Sequence, residues 1–320
     1  MKQFIKKHKI LSAAIIAFLA LNLYSFMPIV GFYLSEMPAA FDRNQDIIER
    51  LKKNKEPYFS FIVISDTSSG LFLSEASTLK IISSMNREDR FHKVPIDFVV
   101  NVGDVTFRSR PSHYRNYVKI RERIKFPVIT VIGNHDAETY KGIEGDELFK
   151  KYCGEKDFSF VDRNSYFIVL DDEEGDLAER QFEWLENEFK KAASYEHKFV
   201  FMHKPPFNPY QQSWYRIETC PWSYRFLKLC EQYKVTMVFS GHEYVQRTED
   251  FGGVKYVVCG GGGTLLTAPS WEGSSLNYIV VKVNRDYVSS EVRKIMPPVW
   301  QYFTFYMWKD LVYFIRDLLL

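Results

Sequence analysis

Cysteine is scarce in this chain of 320 residues: there are four, Cys153, Cys220, Cys230 and Cys259, and no two form a C-x-x-C pair. That spacing argues against a structural zinc site. Disulfides stay open if the domain is exported. Cys220 and Cys230, however, would flank a helix and stand roughly 15 Å apart at a rise of about 1.5 Å per residue, too far to bridge. An excess of one charge is lacking too. The net charge is +2, and without Lys2, Lys6, Lys7 and Lys9 it becomes −2. A near-neutral body has no clustered basic footprint, so nucleic acid is not an expected partner. No repeat or low-complexity tract is present. Cys259–Thr264, CGGGGT, has the glycines of a phosphate loop without its Lys-Ser/Thr, which speaks against nucleotide binding. What the chain has in quantity is apolar and aromatic mass, 46% hydrophobic with 27 Phe and 20 Tyr, ample for one large core.

One long hydrophobic run stands at the start. After the basic flank, residues 1–9, the chain carries no charge from Ile10 to Leu34. Its length suits a bilayer core of about 30 Å and exceeds the usual signal-peptide core of about 7–15 residues. The expectation is an uncleaved signal anchor over 10–34, with a cleaved signal peptide as the alternative. Lysines precede the run, while Glu36, Asp42 and Asp46 follow it. The positive-inside rule then puts the N-terminus in the cytoplasm and the main domain on the extracytoplasmic side of a single-pass protein.

Residues 41–56, FDRNQDIIERLKKNKE, read as a charged helical spacer. Beyond it the pattern is α/β. Short apolar runs rich in Val, Ile and Phe end in polar residues: YFSFIVISD at Asp66, IDFVVNVGD at Asp104, FPVITVIGNHD at Asp136 and SYFIVLDD at Asp172. Two more, HKFVFMHKPP and KVTMVFSGHE, carry His203 and His242. Runs of this length and composition are strands. Helical patterns lie between them, the clearest over 176–193 with Leu177, Phe182, Leu185 and Phe189 on one face. In open α/β sheets ligands bind beyond the carboxyl ends of the strands. One Asp after a strand is usually a turn residue or a helix cap, but Asp, Asn and His at the ends of five runs suggest one shared cluster. A mixed Asp, Asn and His shell suits Mn²⁺, Fe or Zn²⁺. Glycines before Asp104, Asn134 and His242 would let the backbone turn sharply there.

The motifs Ser65-Asp66, Gly103-Asp104, Gly133-Asn134-His135-Asp136, Met202-His203 and Gly241-His242, in this order, resemble those of calcineurin-like metallophosphoesterases over residues 57–265. The resemblance implies a four-layer αββα sandwich of two mixed β-sheets over 57–295. It implies one divalent ion on Asp104, Asn134, His203 and His242, with Asp104 bridging to a second ion held by Asp66. It implies a metal-activated water as nucleophile. His135 would protonate the leaving oxygen of a phosphoester, and Asp136 would orient the imidazole. The bland alternatives are a turn role for Asn134, loop histidines at 203 and 242, and a helix cap at Asp136.

The chain departs from the family at two places. The family's Asp-x-His is Asp66-Thr67-Ser68 here, and its Gly-His-x-His is Gly-His-Glu-Tyr at 241–244. The tyrosine that some relatives place three residues after Gly-Asp is Phe107. Both missing histidines belong to the ion on Asp66, so one tight site and one weak or remodelled site are expected, with Glu243 a candidate replacement carboxylate. Arg108 and Arg110 suit phosphate binding, with a solvated helix face as the equal alternative. An aromatic insertion over 207–224 would shape the mouth of the site or simply pack. The final residues, 296–320, read as an aromatic amphipathic helix that lies in the membrane interface or packs on the domain. The expected function is a membrane-anchored phosphoesterase acting outside the cytoplasm on a phosphorylated small molecule or lipid. The competing reading is a weak or inactive relative that binds one metal or a phosphorylated ligand. A purely structural membrane protein would explain both ends of the chain but not the motif series.

Overall fold

The computed structural model describes residues 2–51, 58–91, 95–207 and 222–319. Its strands are β1 (Phe59–Ile64), β2 (Ile96–Val102), β3 (Val128–Val131), β4 (Phe158–Asp162), β5 (Ser165–Val169), β6 (His197–Phe201), β7 (Met237–Ser240), β8 (Gln246–Phe251), β9 (Val254–Cys259), β10 (Leu276–Asn284) and β11 (Tyr287–Ile295). They form two sheets, in the orders β11-β10-β1-β2-β3 and β4-β5-β6-β7-β9-β8. In the first, β1, β2 and β3 run parallel and β10 and β11 are antiparallel. In the second, β5, β6, β7 and β9 run parallel between antiparallel edges.

Strand alternation explains the layers. In β1, Phe59, Phe61 and Val63 point into the space between the sheets, where they meet Phe167, Phe199, Phe201 and Phe239 of the second sheet. Ile62 and Ile64, on the other face, pack under a helical layer. Side chains of a strand alternate between faces, so a fully apolar run serves two cores at once. The helices are α1 (Lys2–Leu34), α2 (Asn44–Leu51), α3 (Phe72–Met85), α4 (Pro111–Arg121), α5 (Asn134–Ala137), α6 (Gly145–Tyr152), α7 (Glu179–Lys191) and α8 (Ser223–Gln232). At the C-terminus come α9 (Val299–Gln301), a π-helical turn over Tyr302–Tyr306 and α10 (Met307–Leu319). α3 covers the first sheet, while α7 and α8 cover the second. The expected apolar face is buried through Phe182, Leu185 and Phe189 of α7 and through Leu177 just before it. The result is the αββα sandwich.

Three boundaries read from the sequence move. The region 41–56 is not a mere spacer over its described part. α2 buries Ile47, Ile48 and Leu51, and the Asn44 amide pairs with both backbone groups of Thr130 at 2.8 Å, closing the edge of β3. Residues 52–57 lie outside the described residues, as do 208–221, most of the aromatic insertion, including Cys220. The hydrophobic run is not exposed throughout either. Lys9–Leu34 is long and apolar enough to cross a membrane, yet Ile29 and Phe32 are buried in the same cluster as Ile62, Ile64 and Ile81. At about 1.5 Å per residue the remaining residues 10–28 still measure roughly 28 Å. The C-terminal helix begins at Val299 rather than 296. It turns Lys309 and Asp310 to the backbone of Ala268 and Ser270, while Trp308, Leu311, Val312, Phe314, Ile315 and Leu318 stay exposed.

Candidate metal centre

All the expected ligands leave the same edge of the two sheets. Asp66 follows β1, Asp104 follows β2, Asn134 follows β3, His203 follows β6 and His242 follows β7. Each strand is fixed by its core, so the first polar residue past its end is held in a narrow region. Asp66, Asp104 and His242 take φ angles of 55°, 49° and 64°. Non-glycine residues in the left-handed region are rare and gather at functional sites. The three glycines serve the turns in two ways. Gly103 has φ 95°, whereas Gly133 and Gly241 allow close approach. A Cβ on Gly133 would fall 2.3 Å from Asp104 Oδ1, and one on Gly241 would fall 1.7 Å from Ser65 Oγ.

Asp104, His203 and His242 each offer one ligand atom, all within 4.8 Å of one another. His203 Nδ1 stands 2.9 Å from the Val102 carbonyl oxygen and donates to it. That leaves Nε2 facing Asp104 Oδ2 at 3.2 Å, the orientation a metal-binding imidazole needs. His203 and His242 meet edge to face, with ring centroids 5.1 Å apart. Buried polar atoms are nearly always paired, yet Asp66 Oδ1, Asn134 Oδ1 and His203 Nε2 are buried without a hydrogen-bond partner. A divalent cation among Asp104, His203 and His242 would take up His203 Nε2, so this donor set fits one.

Charge balance points the same way. Burial by itself would raise Asp104, but the His203 charge beside it outweighs burial and holds the carboxyl below the usual range. Burial works against a proton on His203, and Asp104 overrides it and pushes His203 well up. Burial raises Asp66, with Asp104 adding to it and His203 opposing. Burial and then His203 hold His242 down at about 3, so it is a neutral imidazole, the form that binds metals. Without an ion, the cluster therefore carries a proton on His203 that an ion must displace.

Asp136 is a correction. Its carboxylate accepts the backbone amides of Val105, Thr106 and Gly133 at 3.1, 2.8 and 3.0 Å and the Thr106 hydroxyl at 2.8 Å. These bonds tie the Asp104 loop to the 133–136 turn, closer to the capping alternative than to an orienter. The group on the imidazole is Glu138, with Oε1 2.8 Å from His135 Nδ1. A carboxylate only accepts, so Nδ1 carries the hydrogen and Nε2 is left for proton transfer. Asp172 holds the other side: it accepts the amides of His203 and Lys204, each at 2.8 Å. Burial pushes its carboxyl up to about 6, opposed by His203 and those amides.

The expected weak site shows its limits. Asp66 Oδ2 already accepts Ser65 Oγ at 2.5 Å and the His242 amide at 3.1 Å, which leaves Oδ1. Ser68 is buried beside Asp104, with its amide on the Asp104 carbonyl at 3.0 Å. Burial, followed by the Asp66 and Asp104 charges, pushes the Tyr244 phenol up, so it remains a neutral hydroxyl. Glu243 is buried, with Oε1 3.9 Å from His242 Nε2. Arg108 and Arg110 lie on the loop after Asp104. The Arg108 guanidinium is 5.6 Å from the Phe107 ring, which stacks on His135 at 6.3 Å, and Arg110 lies 4.6 Å over Tyr140.

The fold has known relatives. A purple acid phosphatase from yellow lupin (Lupinus luteus) seeds superposes with a TM-score of 0.59 at 16% identity, over 75% of this chain and 52% of its own. The chain thus spans about half the length of that enzyme. GAP50, the anchor in the inner membrane complex of Plasmodium, gives a TM-score of 0.57 at 13% identity, over 75% of this chain and 89% of its own. A putative 5'-nucleotidase from Staphylococcus aureus gives 0.50 at 13% identity, over 75% and 54%. No curated protein matches the sequence. The calcineurin-like phosphoesterase model matches residues 38–246, more than half of the chain and all five candidate ligand positions, and the chain belongs to that family.

Proposed function

We propose that this protein is a membrane-anchored, metal-dependent phosphoester hydrolase whose domain lies outside the cytoplasm. The observation that carries the reading is the convergence of Asp104, His203 and His242, with Asp66 Oδ1 and Asn134 Oδ1 buried and without hydrogen-bond partners at the ends of neighbouring strands. A divalent ion bound there would neutralise phosphoryl charge and make water a competent nucleophile at neutral pH. Asp104, Asn134, His203 and His242 would hold it, with Asp66 reaching toward a weaker second position. His135, held through Nδ1 by Glu138, delivers a proton from Nε2 to the leaving oxygen. Asp136 keeps the Asp104 and Asn134 loops in register, and Arg108 and Arg110 offer guanidinium groups to the phosphate.

The lysine flank supports the orientation, and the buried Ile29 and Phe32 support an uncleaved helix, because cleavage beyond them would remove core residues. The exposed apolar arc of α10 supports a place in the membrane interface. A substrate presented at that surface, a phosphorylated small molecule or a lipid phosphoester, fits this placement. A second reading is favoured by Ser68 and Tyr244, which stand where imidazoles would complete the weaker site: a relative that binds one metal or a phosphorylated ligand without turnover. The test is metal analysis of full-length protein in detergent, with hydrolysis of an aryl phosphate and an aryl phosphodiester after loading with Mn²⁺, Zn²⁺ and Fe²⁺. Turnover of either supports the hydrolase. Bound metal without turnover of any phosphoester establishes the binder.

A further inference from the structure

Glu75, in the first turn of α3, is a fully buried carboxylate with no ion pair to a cation among the described residues. Its Oε1 accepts the backbone amide of Gly70 and the Asn116 side-chain amide, each at 2.8 Å. Its Oε2 accepts the hydroxyl of Tyr33, from the last turn of α1. Its hydrogen bonds among the described residues come from neutral donors, with the Lys119 charge acting on it without an ion pair, and a buried carboxylate held this way depends on each donor.

Gly70 ends the segment that carries Asp66. A side chain is barred there, since φ is 100° and a Cβ would fall 2.3 Å from the His113 ring. Within the segment, Asp66 and Ser68 both take left-handed angles, a conformation that persists only when the surroundings fix it. The amides of Ser68 and Ser69 bond the carbonyls of Asp104 and Val105 at 3.0 and 2.9 Å on one side. Glu75 holds the end at Gly70. The Tyr33 ring stacks on Phe72 at 5.9 Å, and Phe72 also meets Phe26 and Trp300. Arg123 bonds the Ser35 hydroxyl at 3.1 Å, and Lys119 lies 4.6 Å over Phe32. The end of the apolar helix is thus clamped to the domain where its Tyr33 meets the carboxylate behind the metal-binding segment.

We infer that Tyr33 and Glu75 are positioning residues for the Asp66–Gly70 segment, and that the seating of the membrane helix on the domain sets how firmly that segment holds an ion. α1 is then more than a tether: a helix lifted from the domain withdraws the Tyr33 hydroxyl, loosens Glu75 and frees Gly70. The ion on Asp104, Asn134, His203 and His242 is held from other strands and feels this less, through the backbone bonds of Ser68 to Asp104 and of His242 to Asp66. The metal part of the inference rests on the metal-site reading above. The segment part does not.

The experiment uses full-length protein in detergent micelles, with Tyr33→Phe and Glu75→Gln. Tyr33→Phe keeps the ring and its stacking and removes only the hydroxyl. Two readouts are taken, amide hydrogen exchange over residues 66–71 and Mn²⁺ titration followed by the spin signal of the free ion. In Tyr33→Phe, exchange of 66–71 should rise roughly 3- to 10-fold, part of what one lost hydrogen bond to a carboxylate permits. The weaker class of Mn²⁺ site should weaken by a similar factor, with the tight class moved less. Glu75→Gln should do at least as much, and the double variant should match Glu75→Gln, because the two act in series. Unchanged exchange in 66–71 overturns the inference. So does a uniform rise across β1, β2 and β3 with both Mn²⁺ classes weakened equally, which marks a merely structural role. If the wild type binds a single Mn²⁺, exchange alone decides. Absent turnover by the wild type refutes the hydrolase and leaves this result standing.

Discussion

Phe32→Ala separates a helix end that belongs to the domain from one that belongs to the lipid. The ring is fully buried, in the cluster with Ile62, Ile64, Ile81 and Ile82. Lys119 Nζ and the Arg123 guanidinium sit 4.6 and 5.6 Å from its centroid. Truncating a buried Phe costs about 3–5 kcal/mol. Losing two partly exposed cation contacts adds about 0.5–1 kcal/mol each. A loss of about 4–7 kcal/mol in a domain of this size lowers the melting midpoint by roughly 8–28 °C. Thermal unfolding of full-length protein in detergent, followed by the loss of near-ultraviolet circular dichroism, reads it. Tyr24→Ala is the control, because Tyr24 is exposed on the same helix and its loss should cost less than about 0.5 kcal/mol. If Phe32→Ala moves the midpoint no further than Tyr24→Ala, the last turns of α1 do not pack on the domain and the argument fails.

Other outcomes follow from the site and the fold. His135→Ala should keep its metal content while turnover falls about 10²–10⁴-fold, the range for a lost general acid; loss of metal with activity would contradict that role. Glu138→Gln keeps the shape of the side chain but removes the carboxylate that holds His135 Nδ1, so turnover should fall about 10-fold with metal content unchanged, and unaltered turnover would show that Glu138 does not position the imidazole. Ser68→His with Tyr244→His should raise Mn²⁺ content after dialysis from one ion toward two; two ions already held by the wild type would show that Glu243 or another residue completes the site. Burial, opposed by Arg163 and aided by the Asp97 charge, pushes Asp162 up to about 6. The folded value lies above the unfolded one, so ionised Asp162 weakens the fold above that pH and the penalty lifts as the pH falls. Asp162→Asn should therefore gain on the wild type in melting midpoint at pH 7 relative to pH 5, and an equal difference at both would refute the assignment.

Much of the fold was legible because β1, β2, β3, β5, β6 and β7 each announce themselves by a short apolar run with a polar end. The run is apolar throughout because both faces are covered, and the polar residue marks where cover stops. The N-terminal helix was legible by length and composition, but its boundary was not. Ile29 and Phe32 look like lipid-facing residues, and only the presence of Ile62, Ile64 and Ile81 beneath them makes them core. α2 was misjudged for a related reason. Its charges, Asp46, Glu49 and Arg50, suggested a solvated spacer, while its structural weight rests on Asn44 bonding to Thr130, a partner 86 residues away.

The candidate site divides along the same line. A ligand is readable because its position is local: it lies within a few residues of a strand end, and at Asp104, Asn134 and His242 it follows a glycine. A supporting residue is not, because its partner arrives from another element. Asp136 bonds Thr106 across 30 residues, Asp172 bonds His203 across 31, and Glu75 meets Tyr33 across 42. This is why Asp136 was given the wrong partner. It directly follows His135, and adjacency in the chain suggested contact, but successive side chains of a tight turn diverge. The residue three further on, Glu138, returns to the imidazole at 2.8 Å, while Asp136 turns inward to the amides of Val105, Thr106 and Gly133. A carboxylate with four donors to accept is already committed, and an imidazole left at the surface takes the free carboxylate nearest to it. That competition is settled by burial, which spacing along the chain does not encode.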